Sequence, residues 1–374
     1  MRVVHVTPFY TPVIGGVEEM VRRVAEYIAS RGYEVFVVTY NRLRDGGIGS
    51  LPKYEVINGV HVIRVKPNLM FSHGSYSSEL PEVIRTLKPD IVHVHVWRHP
   101  YVFQIARLKR SLGFKAVLHG HAPFYKLSQL GLVTWFYHHF VDAFLVSYLK
   151  LYNVYIALTP YEVERVAQLG LERYKVIIIP NGVDEDRCGK GSVISRNEGQ
   201  VLYLGRISKN KNVDLLVKAM NFVIKAVNKA FLVLAGPDEG IAGKFIEYAK
   251  KRDIRLQYLG IVSETTKHEL YMKSYVYASP SLYEGFGITL LEAAQHGLPS
   301  VITGHGGQHY SAPPNIASIW TRPNPLDYAE GIIQLLTDKN LWKKLSENVM
   351  EWSQNFLWSK ILPKYEKLYN DLIA

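Results

Sequence analysis

The sequence predicts an α/β protein made of two Rossmann-like domains, each a doubly wound parallel sheet. Three observations predict it. Short apolar strands alternate with helical patterns, the alternation breaks at Pro180-Asn181-Gly182 and then restarts, and glycine-bearing segments follow several strand ends. A length of 374 residues suits two or three domains and a core that needs no disulfide staples.

In the first half, strands are read over Arg2–Thr7, Glu34–Thr39, Val60–Val65, Asp90–Val96, Lys115–Leu118, Tyr155–Leu158 and Val176–Ile179. The 3.6-residue period of Val17–Ser30, closed by Arg31-Gly32, predicts the first helix. Asp184–Gln200, rich in Gly, Ser and charge, reads as a linker. Strands then follow at Val201–Leu204, Phe231–Ala235, Arg255–Leu259, Val276–Ala278 and Ser300–Thr303. Helices fall at Val213–Ala226, Gly243–Arg252, Lys267–Ser274, Gly287–His296, Asp327–Leu336 and Asn340–Asn355. The expected domains are residues 1–184 and 185–355, facing a cleft, with ligands beyond the carboxyl ends of the strands.

Composition narrows the function. Hydrophobic residues make up 48% and charged residues 21%, which excludes a disordered tail, a collagen-like fibre and a coiled coil. The single cysteine, Cys188, excludes an internal disulfide and a cysteine-ligated zinc site. Met1-Arg2 runs straight into the first strand, so no leader is read and the cytosol is the expected location. Net charge is +11, with 21 Lys+Arg against 13 Asp+Glu in residues 1–180. Arg85–Lys126 holds eight basic residues and one acid, Asp90. Such a stretch suits a solvated face, an anionic lipid surface or a phosphorylated substrate. No zinc-finger spacing or RNP-type aromatic signature supports nucleic acid.

Gly131–Leu149 is the most apolar stretch, but Asp142 in its middle argues against a transmembrane helix. Thr134, His138 and Asp142 recur every four residues as one narrow polar stripe. A mostly buried helix is expected. The other reading is a helix that also touches a membrane or a lipid substrate.

Three motifs sit at strand ends. Gly15-Gly16-Val17-Glu18 opens the first helix, where free N–H groups can meet a phosphate; a plain tight turn is the other reading. Gly205-Arg206, with Lys211 five residues on, places two cations where a diphosphate could be neutralised, although a solvated loop has the same composition. Glu284-Gly285-Phe286-Gly287-Ile288-Thr289-Leu290-Leu291-Glu292 puts exposed backbone N–H groups at a helix start and a carboxylate one turn in. Helical side chains lean toward the N-terminus, so Glu292 can reach the mouth and accept from ribose hydroxyls.

Taken together, the Glu-Gly-Phe-Gly-x-x-x-x-Glu string, Gly-Arg with its Lys, and Gly-Gly-Val-Glu resemble the family-4 retaining glycosyltransferases of GT-B fold. Asp90–His95 and Ile179-Pro180-Asn181-Gly182-Val183-Asp184 resemble further stretches of that family, so the resemblance spans almost the whole chain. The segment from Phe356 resembles the family's last helix, which crosses back onto the first domain as residues 356–374.

The resemblance implies roles residue by residue. Arg206 and Lys211 match the pair on the donor's diphosphate. Glu292 matches the carboxylate on the donor ribose, and Glu284 the one near the transferred sugar. Gly285, Phe286, Gly287 and Ile288 belong to the same donor-binding string. Gly16 matches the glycine whose backbone meets the phosphates. Ile261 and Val262 match the stretch bordering the base. His119 matches an active-site histidine that contacts the donor sugar, and His121 could take its place. The implied reaction moves a sugar from a nucleotide diphosphate sugar to an acceptor hydroxyl with retention, and needs no metal or other cofactor in the site. The basic stretch and Trp135-Phe136-Tyr137 suggest a lipid-linked saccharide or other membrane glycoconjugate as acceptor, with the enzyme peripheral on the cytoplasmic membrane face.

Two departures from the family pattern stand out. Asn212 follows Lys211 where glycine is usual, and Gly306-Gly307 is followed by Gln308-His309 rather than Pro-Glu. His93 and His95 point to one face of a strand and, with His119 and His121, could suggest zinc, but no carboxylate partner lies nearby in sequence. The competing functions are a nucleotide-sugar epimerase on the same fold and a non-catalytic carbohydrate-binding subunit.

Overall fold

The computed structural model describes residues 1–13, 15–43, 47–71, 74–125, 131–185 and 195–374. The core of the expected linker, with Cys188, lies outside the described residues, as does Lys126. The chain forms two compact units: Met1–Gly182 with Ser359–Ala374, and Val183–Trp358. The expected domain limits at 184 and 355 lie within a few residues of these.

The first unit holds an eight-stranded sheet of β1 (Arg2–Val6), β2 (Glu34–Tyr40), β3 (Tyr54–Ile57), β4 (Val60–Val65), β5 (Ile91–His95), β6 (Lys115–His119), β7 (Val154–Ala157) and β8 (Val176–Ile178). Their order is β8-β7-β6-β5-β1-β2-β4-β3, parallel throughout except for the β3–β4 pair. The central strands are rich in Val and buried on both faces, as a sheet covered on both sides requires, with His5, His93 and His95 buried among the valines. Edge strand β3 alternates exposed and half-buried residues and has no apolar run, which is why the sequence reading passed over it.

The helices of this unit are α1 (Gly16–Ser30), α2 (Leu80–Leu87), α3 (Pro100–Leu112), α4 (Leu132–Phe140) and α5 (Pro160–Gln168). Two of those not read from sequence, α3 and α5, carry the expected punctuation. Both open on proline, and α3 closes on Gly113 at φ 75°. A C-terminal helix spans Trp358–Ile373. Its Glu366 accepts from Tyr27 at 3.0 Å and Arg31 at 3.1 Å, and its buried Tyr369 meets His93 at 2.6 Å.

Gly131–Leu149 is corrected by the structure. After α4 the chain runs through a π-helical turn, Val141–Leu145, and a 3₁₀ stretch, Val146–Leu151. This segment is not mostly buried. Its polar stripe turns inward, because Asp142 accepts from Arg98 at 2.6 Å and from the Trp97 indole at 3.2 Å, while Thr134 is buried. Leu132, Val133, Phe136, Phe140 and Phe144 are thereby left outside, while Val141 and Leu149 are buried. Among the described residues no helix is long and apolar enough to cross a membrane.

The second unit holds β9 (Gln200–Leu204), β10 (Phe231–Ala235), β11 (Leu256–Tyr258), β12 (Val276–Ser279), β13 (Ser300–Thr303) and β14 (Ser318–Thr321). Their order is β11-β10-β9-β12-β13-β14, all parallel. The helices are α6 (Val213–Ala226), α7 (Ala242–Lys250), α8 (Glu264–Lys273), α9 (Ile288–Gln295), α10 (Pro325–Thr337) and α11 (Lys339–Ser353). Two apolar layers sandwich the sheet. One is centred on Leu216, Met220, Leu234 and Ile332, the other on Leu202, Tyr277, Leu290 and Ile302. Strand order reverses between β9 and β12, the switch point where ligands of open α/β sheets bind.

Candidate functional site

The site in the second unit grows from the loops at that switch point. The chain leaves β9 at Gly205, β10 at Gly236 and β11 at Gly260, and these loops stay paired. Gly205 donates to Ala235 O at 2.9 Å and Gly236 to Gly260 O at 2.7 Å. A Cβ on Gly236, whose φ is 133°, would stand 2.1 Å from Gly205 O, so only glycine lets the loops close up. Arg206 emerges here, more than half exposed, with Glu239 at 3.3 Å as a weak surface partner. Ile261 is exposed and Val262 half-buried in the loop after β11.

Lys211 ends the short 3₁₀ turn Lys209–Lys211 that precedes α6. Its ammonium donates to both carboxylate oxygens of Glu284, at 2.6 and 2.8 Å. Asn212, the departure noted in sequence, adopts φ 53° and ψ 36°, the left-handed conformation that glycine favours and asparagine tolerates. Its amide donates to Pro280 O at 3.2 Å, tying the start of α6 to the end of β12. The departure therefore preserves the turn.

Glu284 lies in a two-residue strand, Tyr283–Glu284, paired with His305–Gly306. Gly307 donates to Glu284 O at 2.7 Å, and a Cβ there would stand 2.1 Å from Gly285 O. The paired glycines let two backbones run flush. Gln308 secures the second one: it is buried, and its amide donates to Ser281 O at 3.0 Å and to Thr303 O. Gln308, one of the two residues that replace Pro-Glu, thus ties together the segments that lead into the two short strands.

Gly287, at φ 88°, caps α9, and Ile288 is its first residue. The Phe286 ring is buried against Tyr310 and Phe356, so among its groups the backbone is what can meet a ligand. One turn into α9, Glu292 accepts from the Lys267 ammonium at 2.9 Å and the Tyr271 hydroxyl at 2.9 Å, both on α8. The Lys267 pKa is raised, with the gain from Glu292 and Glu264 outweighing burial. Neither α8 residue was singled out from sequence. Their four-residue spacing puts them on one helix face, but nothing in the sequence shows which carboxylate that face meets. A carboxylate offers about four lone-pair positions, so these bonds orient Glu292 and leave acceptor capacity.

In the first unit, Gly16 is the first residue of α1, with Gly15 before it in extended backbone. His119 ends β6 and is fully buried, and among the described residues neither ring nitrogen has a hydrogen-bond partner. His121 stacks on it at 4.0 Å between ring centroids and is the half-buried member of the pair. The structure adds His5 to the histidines found in sequence. His5, His95 and His121 form a chain with ring nitrogens 3.0 and 3.3 Å apart. Among the described residues, the groups His5, His93, His95 and His95, His119, His121 each bring ring nitrogens within 4.8 Å of one another, close enough to hold a metal ion. Burial keeps all five neutral, with His5 and His121 lowered to about 3.

His121 and Ala122 have φ 59° and 47°. This turn is held by Glu162, a buried carboxylate that accepts from Ala122 N, Leu158 N and the Tyr155 hydroxyl, each at 2.8 Å. The spacing from Thr159, the cap of α5, makes Glu162 read as an ordinary N-terminal charge, so sequence reasoning missed it.

Chemically, the loops at the switch point of the second unit present the exposed Arg206 guanidinium, Lys211 paired with Glu284, a glycine-capped helix start and the oriented Glu292 carboxylate. Two cations and free N–H groups suit a diphosphate, and the carboxylates suit hydroxyls.

The family model for glycosyltransferase family 4 matches residues 14–187, and that for glycosyl transferases group 1 matches 187–352. The chain is 27% identical to an uncharacterized glycosyltransferase of Methanocaldococcus jannaschii, over 99% of this chain and 98% of that one. It is 24% identical to the gpi3 subunit of phosphatidylinositol N-acetylglucosaminyltransferase from Schizosaccharomyces pombe, covering 99% of this chain and 80% of that protein. Sucrose-phosphate synthase from Thermosynechococcus elongatus shares the fold at TM-score 0.78 and 19% identity, covering 100% of this chain and 99% of that one. With its parallel sheets in two Rossmann-like units, and with two family models that together run from residue 14 to residue 352, the chain belongs to the group 1 / family 4 glycosyltransferases of GT-B fold.

Proposed function

We propose that the protein is a retaining glycosyltransferase that moves a sugar from a nucleotide diphosphate sugar to an acceptor hydroxyl. The acceptor is a lipid-linked saccharide or another membrane glycoconjugate. The observation that carries the donor reading is the grouping of Arg206, Lys211, Glu284 and Glu292 around the switch point of one sheet. Arg206, Lys211 and the N–H groups at the start of α9 stabilise the charge that grows on the departing diphosphate. Gly285, Gly287 and Ile288 supply backbone there, Ile261 and Val262 border the base, and Glu292 takes the ribose hydroxyls. Glu284 lies beside the transferred sugar. The acceptor oxygen attacks the face that the diphosphate leaves, and the departing phosphate takes the acceptor proton, so neither a nucleophilic carboxylate nor a resident metal enters the step.

The first unit serves the acceptor, with Gly16 at a phosphate and His119 or His121 at the reacting sugar. The acceptor class is supported by the basic balance of this unit and by the name of the Schizosaccharomyces pombe relative, a phosphatidylinositol N-acetylglucosaminyltransferase.

Thermal unfolding with UDP, GDP and ADP, beside an Arg206→Ala/Lys211→Ala variant, tests the donor site. A nucleotide at 100 times its Kd adds about 2.7 kcal/mol of stability. A shift with one nucleotide that the variant loses is the expected result. Incubation with the matching sugar donor should then give a product with the donor's anomeric configuration. An inverted product, or an epimerised donor formed without acceptor, removes the reading.

A further inference from the structure

The segment that follows the β6 loop is amphipathic with its faces reversed. Leu132, Phe136, Phe140 and Phe144, each four residues after the last, are 60, 58, 54 and 71% exposed, and Val133 is 81% exposed. Their polar counterparts face the protein. Thr134 is buried, and Asp142 is committed to Arg98 and Trp97. Inward pairing neutralises the one acid of the segment and hands the outer face to a row of large apolar side chains. Scattered exposed apolar residues are ordinary; a continuous stripe this long marks an interaction surface.

The charge around the stripe selects its occupant. From Arg98 to Lys150 the chain carries seven basic residues and one acid, Asp142. Arg107, Arg110, Lys115 and Lys150 are all exposed. The first is tied to the end of the segment by a 2.9 Å bond from its Nε to the Tyr148 hydroxyl. Lys175 donates to Lys150 O at 3.0 Å, which brings a further cation to the same place. A row of Phe and Leu bordered by cations is the pattern of an element lying in the interface of an anionic bilayer, rings among the acyl chains and cations at the headgroups.

We propose that Leu132–Phe144 docks on anionic lipid bilayers, with Leu132, Val133, Phe136, Phe140 and Phe144 inserted and the Arg107/Arg110/Lys150 cluster on the headgroups. The proposal deepens the membrane-glycoconjugate reading of the acceptor, and its test is run without donor or acceptor so that either can fail alone.

The full chain is floated with vesicles of phosphatidylcholine and with vesicles of phosphatidylcholine plus phosphatidylglycerol. The wild type should float with the anionic vesicles and more weakly with the neutral ones. Phe136→Ser/Phe140→Ser/Phe144→Ser should lower the partition coefficient at least roughly tenfold, since three rings lose their burial in lipid. Its melting temperature and nucleotide shift should match the wild type, because these rings are exposed in the free protein. Arg110→Glu/Lys150→Glu should erase the preference for anionic vesicles. If the triple variant misfolds, Phe144→Glu alone must reproduce the loss. Failure of the wild type to float, or flotation of a folded variant at the wild-type level, overturns the proposal. So does a wild-type dimer that the triple variant converts to a monomer, which would assign the face to a second copy. Flotation without transfer to any lipid-linked acceptor would instead retire the acceptor reading and leave the membrane face standing.

Discussion

Lys211 donates to both carboxylate oxygens of Glu284, at 2.6 and 2.8 Å, with neither side chain more than a third exposed. The bond joins the turn before α6 to the strand before α9, so each residue fixes the other. An ammonium has three donors and can keep one on Glu284 while meeting a phosphate oxygen. Glu284→Ala should therefore lower kcat by about 10²–10³ if the carboxylate works on the transferred sugar, a loss of the size seen when a group that stabilises a transition state is removed. The Kd for the nucleotide diphosphate should hold or tighten, because Lys211 loses a competing anion. Calorimetry and initial rates check this. Equal losses in Kd and kcat would remove the role.

Asn212 carries the second prediction. Its left-handed backbone suits Gly or Asn, and its amide bonds to Pro280 O. Asn212→Gly keeps the conformation and loses only the hydrogen bond, so it should cost about 1 kcal/mol or less. Asn212→Val adds a branched Cβ where L-residues are disfavoured by about 1–2 kcal/mol and loses the same bond. Urea denaturation should rank wild type, Gly, then Val. A valine variant as stable as the glycine variant would show that the turn adapts.

Sequence reasoning found most strands and the long helices, because buried Val and Ile runs and a 3.6-residue period are local signals. It missed β3 and β14, whose burial patterns are mixed, and α2, α3 and α5, among which α2 is a single eight-residue element. The residues proposed to touch a donor drew attention in sequence because they sit in one string and one Gly-Arg-x-x-x-x-Lys spacing. Their supports were not. Lys267 and Tyr271 meet Glu292 across two helices, and His5 meets His95 across adjacent strands. Such contacts depend on sheet order, which no single segment contains. Gly131–Leu149 was misread for a related reason: periodicity separates its two faces but does not say which one meets the protein.

Glu292 is held by Lys267 and Tyr271, so the two α8 residues should act through it. Lys267→Met should leave the carboxylate in place but less firmly oriented and weaken nucleotide binding about threefold to tenfold, the range of one charge-assisted hydrogen bond. Glu292→Ala should weaken it more and also destabilise the unit by removing the less exposed of the two carboxylates that pair with Lys267, Glu292 and Glu264. In a double-mutant cycle, Lys267→Met added to Glu292→Ala should have almost no further effect on Kd. Additive losses would mean that Lys267 touches the nucleotide itself.

The five clustered histidines make stability depend on acid. Their native pKa values lie well below the ordinary 6.5, with desolvation the first cause for each. Below about 6.5 the unfolded chain binds protons that the native state refuses, so stability should fall as pH drops from 6.5 toward 4 and stay flat in this respect above 7. His93→Phe removes one such group from the contact with Tyr369 and should shallow that slope. Stability followed by urea at several pH values, wild type against variant, is the measurement. An unchanged slope would mean that the cluster accepts protons while folded.

Glu162 should act in the opposite direction, which allows the two effects to be separated. Burial raises its carboxyl from the ordinary 4.5 to about 7, against the lowering effect of its bonds from Leu158, Ala122 and Tyr155. Between about 4.5 and 7 the native state holds this proton and the unfolded chain does not. The contribution is therefore complete below 4.5 and disappears as pH rises through 7, amounting to a few kcal/mol at most. Glu162→Gln cannot titrate, so wild type minus variant should decline in stability across that window even while the histidines make both proteins more stable. Because Glu162 also holds the left-handed His121-Ala122 turn, the variant should lower kcat if His119 or His121 serves the reacting sugar. A pH-independent difference between the two proteins would show that Glu162 is ionised in the native state and that its three donors outweigh its burial.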